Sequence, residues 1–361
     1  MSWKDTRATR LFTIDLPIVL GPFGGLSSVE LAATVSEAGG LGSYGLYGYD
    51  AERIAATARD LREATGKPFA LNLWLPIEGE EPPTADPGQF AAYVDILRPY
   101  FELVGVEPPA QPDAYLPDLQ EQIQAAIEAR PAVLSFVFGV PSGAVIEQAR
   151  RNGIVVVGTA TTVDEAVALD AGGVDAIVAT GMEAGGHRVS FLRAPEDSLV
   201  GTMALVPQVV DAVSVPVIAA GGISDGRGVA AALALGADAV QIGSAFLATR
   251  QSAISPAHLA AMRGPGAAHT VLTRALSGRL ARGIPNRIIA ELADPSVHAP
   301  FPIQNWLTGK FRPAAAAQGV PGLMSLWAGQ STPLIREDDA RKLVDNIVES
   351  VDATLGRLGQ T

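Results

Sequence analysis

The sequence predicts an α/β protein built as a (β/α)8 TIM barrel, and three observations carry that expectation. Eight short apolar runs rich in β-branched residues occur between residues 17 and 246. Amphipathic helical stretches separate most of them. The runs are continuous rather than alternating in polarity, as parallel strands covered on both faces require. An open doubly wound sheet has the same local grammar, but a count of eight favours closure.

In order, the runs are PIVLG (17–21), GLGSYG (40–45), FALNLWL (69–75), AVLSFVFG (132–139), IVVVGTA (154–160), AIVATG (176–181), PVIAAGG (216–222) and AVQIGSAF (239–246). Helical patterns fill 28–38, 51–65, 142–152, 163–172, 201–213 and 226–235. Ser28, Ser142, Thr162 and Asp225 stand where N-caps belong, with side-chain oxygens that can accept the first free backbone N–H groups. Gly39, Gly66, Gly153, Gly173 and Gly236 mark helix ends.

Two regions break the rhythm. Residues 76–118, a long loop after strand three, are rich in Pro and acidic residues and read as a cover over the barrel mouth with a short helix at 88–104. Residues 251–335 follow strand eight and read as a helical subdomain, and a last amphipathic helix, 337–357, is expected to pack back on the barrel. The expected division is a barrel domain at 1–250, a helical subdomain at 251–335 and a C-terminal helix within 336–361.

Composition narrows the function. The chain has 361 residues, 48% of them hydrophobic, enough for a well-filled core. It contains no Cys, which removes disulfides, Cys-ligated metals and a thiol nucleophile, and fits a reducing cytoplasm. A net charge of −12 argues against nucleic acid and anionic membranes as partners. The start, MSWKDTRATRLFTIDLP, lacks the apolar segment of a secretory signal. The most membrane-like window, 229–249, is interrupted by Gly236, Asp238 and Gln241 and reads as helix, turn and strand. The four His residues lack metal-ligand spacing, so no metal is expected.

A barrel places its active site at the C-terminal ends of its strands. Here those ends read Gly21-Pro22-Phe23-Gly24-Gly25, Gly45, Asn72, Gly158-Thr159, Thr180-Gly181, Gly221-Gly222 and Gly243-Ser244. The last two pairs, at strands seven and eight, expose backbone N–H groups to which a phosphate can come close. Asn72 puts an amide inside an apolar strand. It either bonds a neighbouring loop or meets the edge of a planar heterocycle with donors and acceptors, such as an isoalloxazine. His187 follows Gly185 and Gly186, which let the chain pass close to a flat ligand. The imidazole suits a general base or an anion-contacting donor, and a backbone-satisfied core histidine is the alternative. Glu183, four residues earlier, is either a group that orients it or a solvated loop carboxylate, and Arg188 is expected to face solvent.

Taken together, GPFGG, NLW, GTATTVDEA, VATGMEAGGHR, VIAAGGISDGRG, QIGSAF, SGRLARGIPNR and LWAGQ resemble the nitronate monooxygenase family, formerly 2-nitropropane dioxygenases. The resemblance runs from about residue 10 to 340, and the loop after strand three is similar to the bacterial class I branch. It implies a TIM barrel with non-covalent FMN that oxidises alkyl nitronates with O2 to a carbonyl compound and nitrite. It places a histidine, here His187, beside the flavin. Carried over by position, its flavin contacts fall on Asn72, Gly185, Gly222, Gln241, Ile242, Gly243 and Ser244, with backbone from Pro22, Phe23 and Gly24. Thr180, Gly186 and Gly221 belong to the same blocks.

This chain departs from the family pattern at Thr180, where Gln is usual, at Ser244, where Thr is usual, and at Val137, where class I members often carry His. The segment HAPFPIQNW (298–306) also lacks the aromatic hydroxyls of class I members. FMN is expected rather than FAD, because no G-x-G-x-x-G opens a helix after a strand to hold an adenylate. The expected partners are a nitronate or nitroalkane and O2, and a homo-oligomer is compatible with the sequence. Three other functions are weighed: an NAD(P)H-linked FMN reductase of quinone or enoyl type, a flavin-free isomerase or lyase, and a non-catalytic flavin-binding protein. The isomerase or lyase would want Lys or paired carboxylates at strand ends, and no run ends in Lys, Asp or Glu.

Overall fold

In the computed structural model, which describes residues 2–77 and 85–359, eight strands form one parallel sheet. They are β1 (Ile18–Leu20), β2 (Gly42–Gly45), β3 (Phe69–Trp74), β4 (Val133–Val137), β5 (Val155–Ala160), β6 (Ala176–Thr180), β7 (Val217–Ala220) and β8 (Ala239–Ile242). Their order is β1-β8-β7-β6-β5-β4-β3-β2. The two ends meet: Leu20 N donates to Leu41 O and Leu41 N to Ile18 O, each at 2.9 Å. The sheet is therefore a closed barrel, as the count of eight predicts.

Strand pleating divides the side chains into two sets. Leu71, Leu73, Leu134, Phe136, Val156 and Ile177 face outward into the core shared with the helices. Val19, Ala70, Val133, Val157, Val178 and Ala239 fill the barrel interior. One pleat further along, Ala70 gives way to Asn72, Val133 to Ser135, Val157 to Thr159, Val178 to Thr180 and Ala239 to Gln241. The interior thus changes from apolar to polar toward the C-terminal ends.

The floor is closed by a helix that the sequence reading did not separate, Arg7–Phe12. Ala8 and Phe12 pack into the apolar interior layer, and Phe12 is 2% exposed. Arg7 ties the helix to the strand starts through Asp238 (Nε, 2.9 Å) and Ser214 O (Nη1, 2.9 Å).

The expected N-caps are in place: Ser28, Ser142, Thr162 and Asp225 each accept a backbone N–H of the helix that follows. The eighth run is shorter as a strand than its apolar length suggests. It stops at Ile242, and Gly243 turns the chain into a short helix, Ser244–Leu247. A further unexpected helix, Leu119–Glu128, provides the crossover to β4. Its buried face includes Gln122, whose amide donates to Tyr49 O at 2.6 Å, so a polar residue there masked the period.

Residues 251–335 contain helices Pro256–Arg263, Arg287–Glu291 and Ile303–Ala317, and also two antiparallel strands, Val271–Thr273 and Ala281–Gly283. The loop after β3 carries helix Pro87–Leu103, close to the expected 88–104, while residues 78–84 of that loop lie outside the described residues. This helix and Ile303–Ala317 share a second apolar core in which the Phe101 and Phe311 rings meet edge-on at 5.1 Å. The C-terminal helix, Ala340–Leu358, packs on the barrel through Leu343, Val344, Ile347 and Val351. Among the described residues no helix is long and apolar enough to cross a membrane.

Because Phe12 fills the barrel floor, Phe12→Ala should lower unfolding stability by about 3–5 kcal/mol, the usual cost of emptying an aromatic core site. Arg10→Ala, which removes only the solvent-exposed pair with Asp5, should stay within about 0.5 kcal/mol of the parent. Urea unfolding curves of the two variants check both, and equal midpoints would show that the helix is not part of the core.

Candidate active site

The strand ends and the late region meet at one face. Gly186–His187 forms a short strand that pairs antiparallel with Ala281–Gly283, with His187 opposite Ala281. His187 is thereby fixed by sheet hydrogen bonding rather than left on a mobile turn, and Arg188 N extends the pairing to Leu280 O at 2.8 Å. Its Nε2 lies 2.9 Å from Ser277 Oγ. That hydroxyl donates to Arg279 O at 2.9 Å, so it accepts from His187 and assigns the proton to Nε2. Nδ1 keeps its lone pair and has no hydrogen-bond partner among the described residues.

Rings wall this imidazole. Trp74 meets it edge-on at 4.9 Å and Trp327 at 5.5 Å. Trp74 in turn contacts Tyr47 at 4.4 Å, Phe138 at 4.9 Å and Phe301 at 6.0 Å. The Arg279 guanidinium lies over both Phe138 and Phe301, at 4.2 and 4.0 Å. Arg312 bonds Asn305 Oδ1 at 2.9 Å and Ser325 Oγ. Burial first, then the charges of Arg279 and Arg312, push the His187 pKa down to about 3, so the ring is neutral at physiological pH. Arg312, itself lowered to about 10 by burial, remains a cation.

Two neighbours of His187 have roles that differ from expectation. Arg188 is buried, 2% exposed, and its guanidinium donates to the carbonyls of Thr180, Gly181 and Ser198. Through Nη1 and Nη2 it ties the β6 end to the following loop by bonding backbone oxygens, while its buried Nε has no partner. Glu183 does not orient the imidazole. Its carboxylate accepts from Thr202 N at 2.9 Å and Thr202 Oγ1 at 2.9 Å, at the N-terminus of helix Thr202–Ala212, where a negative charge is favoured.

The glycine ends of β7 and β8 lie beside this wall. Gly221 and Gly222 have φ of 99° and 74°, a conformation L side chains rarely adopt. A Cβ on Gly243 would have Phe23 Cε1 as its nearest neighbour at 3.8 Å, so the backbone there is open. Ser244 Oγ accepts from Gly329 N at 2.9 Å, and Gln330 N donates to Glu183 O at 2.9 Å, so segment 326–332 locks the β6 and β8 ends together. His258 braces that segment by donating from Nε2 to Trp327 O at 3.1 Å. Gly185 is required by the same packing, since a Cβ there would lie 2.6 Å from Gly329 N.

Of the remaining expected site residues, Asn72, Thr180 and Gln241 stand in the polar layer of the barrel interior, next to Ile242 at the β8 end. Asn72 Nδ2 donates to Ser135 Oγ at 2.9 Å. Ser27 Oγ bonds both N and O of Phe23 and so shapes the Pro22-Phe23-Gly24 turn. Gly186 sits on the small strand with φ 78°. Sequence reasoning missed Tyr47, Trp74, Ser277, Arg279, Asn305 and Arg312. Ser277 and Arg279 lie inside the block SGRLARGIPNR, and the bare pattern gave no role for them. Among the described residues no His or acidic cluster could hold a metal.

The nitronate monooxygenase family model matches residues 5–350. A nitronate monooxygenase of Pseudomonas aeruginosa is 43% identical over 96% of this chain and 99% of its own. A probable nitronate monooxygenase of Staphylococcus aureus is 39% identical over 97% and 98%. Among solved structures, a nitroalkane oxidase from Streptomyces ansochromogenes superposes with TM-score 0.87 at 37% identity, covering 98% of this chain and all of that one. FabK from Thermotoga maritima superposes with TM-score 0.75 at 28% identity, covering 99% of each.

The depressed His187 pKa has a measurable consequence. Below pH 6.5 the unfolded chain protonates this ring, while the folded chain resists until about pH 3, so native stability is lost as the pH is lowered through that interval. His258, held to about 4 by burial, acts in the same direction. In urea unfolding between pH 4 and 6, His187→Asn should flatten the dependence of stability on pH by about one proton. An unchanged slope would mean that the ring titrates as it does in water.

Proposed function

Since this chain belongs to the nitronate monooxygenase family, we propose that its barrel mouth holds FMN and presents nitro compounds to it beside His187. The chain is an oxidoreductase that oxidises nitronates. The observation that carries the active-site assignment is the neutral His187 imidazole, walled by rings and lying in the field of two arginines.

The residues present fit the cofactor. The backbone at Gly243 is open, with Phe23 Cε1 at 3.8 Å the nearest atom to where a Cβ would stand, and the positive-φ turn Gly221-Gly222 beside it and the Ser244 hydroxyl offer a phosphate further polar groups. In the polar layer, Asn72 has its amide N–H committed to Ser135, which leaves its Oδ1 as an acceptor for a ring N–H. Gln241 and Thr180 add polar atoms on the same face. FMN bound there would supply the electron transfer to O2 that none of these side chains can perform.

The protein's own part is charge and proton handling. Arg279 and Arg312 act on the imidazole as cations, and positive charge at this position favours an anionic nitronate over a neutral nitroalkane. Burial is the larger cause of the lowered His187 pKa, but an anion offsets the part that comes from the two arginines, so the proton affinity of Nδ1 rises when substrate is present. With Nε2 committed to Ser277, Nδ1 is the atom placed to take the α-proton of a nitroalkane or, once protonated, to donate to a nitro oxygen.

Gly222→Asp adds a side chain and a negative charge at the phosphate position and should purify without yellow colour. Full flavin content in that variant would place the phosphate elsewhere. His187→Asn should keep its flavin and lose about 10²–10⁴-fold in turnover of neutral nitroalkane, with a smaller loss on preformed nitronate. Nitrite release from the two substrates separates these effects, and parent rates on both would remove His187 from the mechanism. Mixed anaerobically with NADH, the holoenzyme should keep an oxidised flavin spectrum, and rapid bleaching would favour a reductase instead.

A further inference from the structure

Tyr47 comes from the turn after β2, far in sequence from the late segment that lacks aromatic hydroxyls. Its ring packs on Trp74 at 4.4 Å, the same Trp that touches His187, and lies 6.0 Å from Phe301. It is partly accessible, not sealed in the wall. Its Oη accepts from Asn305 Nδ2 at 2.9 Å. Asn305 is held in that orientation because its Oδ1 accepts from Arg312 Nη2 at 2.9 Å, which leaves only the amide NH2 to face the phenol. Arg312 is fixed in turn by Ser325 Oγ and the Asn305 carbonyl.

The consequence lies in the phenol proton. Tyr47 Oη already receives a hydrogen bond, and its own O–H has no acceptor among the described residues. We propose that Tyr47 is a substrate-binding residue whose O–H donates to a nitro oxygen of the nitronate, with Asn305 and Arg312 as the positioning residues that aim it. This rests on the nitronate-oxidising reading above and adds to it a donor packed on Trp74, the ring that also meets His187. Burial keeps the phenol pKa raised, so the proton stays on oxygen throughout the working pH range. The arrangement is a directional donor for negative charge on oxygen, in a pocket otherwise walled by rings.

The test compares the holoenzyme with Tyr47→Phe, Asn305→Asp and the double variant, using propyl-2-nitronate and nitrite release, with nitrate as an unreactive anion titrated against the flavin spectrum. Tyr47→Phe removes one oxygen and should keep flavin content and spectrum, while kcat/KM falls about 10- to 100-fold and nitrate binds correspondingly more weakly. Asn305→Asp replaces the donor to Tyr47 by a carboxylate that captures the phenol proton, so it should lose a similar factor although the phenol remains. The double variant should be no worse than the poorer single one, because both remove the same hydrogen bond. Parent kcat/KM and nitrate affinity in Tyr47→Phe, or fully additive losses in the double variant, would overturn the inference while leaving nitronate oxidation intact. A parent enzyme that releases no nitrite would overturn the reading beneath it, and the inference with it.

Discussion

Closure of the barrel between β1 and β2 is the constraint on which the remaining geometry depends. Two backbone hydrogen bonds through Leu41 join the ends of the strand order, and with them every strand edge is paired. Closure fixes which residues point inward, and pleating then sets the polarity of each layer. The apolar layer over Phe12 makes a rigid base, and the residues two positions further on make a polar ring at the other end. No loop has to create the polarity of the mouth, because the strands already carry it.

The late region completes what the barrel begins. The backbone of Ala281–Gly283 extends the strand that carries His187, Ser277 selects its tautomer, and segment 326–332 clamps the β6 and β8 ends. Arg279 and Arg312 from the same region set the electrostatic potential. The result is an imidazole whose pKa is lowered first by burial and then by the two arginines, so that it is neutral by environment, not by ambient pH.

Much of this was legible in the sequence. The eight strands read correctly because strands buried on both faces are continuous apolar runs, and Ser28, Ser142, Thr162 and Asp225 announced the helix starts. His187 and the glycine ends were visible because they sit at strand termini. The ring wall was not, since Tyr47, Trp74, Phe138, Phe301 and Trp327 are scattered over nearly the whole chain and look individually like core. Charge was misread at Arg188 and Glu183 because local sequence does not reveal which backbone groups need a partner. Helix Leu119–Glu128 escaped notice because a buried glutamine interrupts its apolar face.

The Ser277–His187 contact divides labour across 90 positions of the chain. The imidazole is borne by the loop that follows a barrel strand, while the hydroxyl that accepts from its Nε2 belongs to the late region. Reactivity in such a scaffold can drift by changes between residues 270 and 330 that leave the barrel and its glycine-lined end untouched. The late region is therefore the natural place for relatives of this fold to diverge in chemistry while retaining the same barrel.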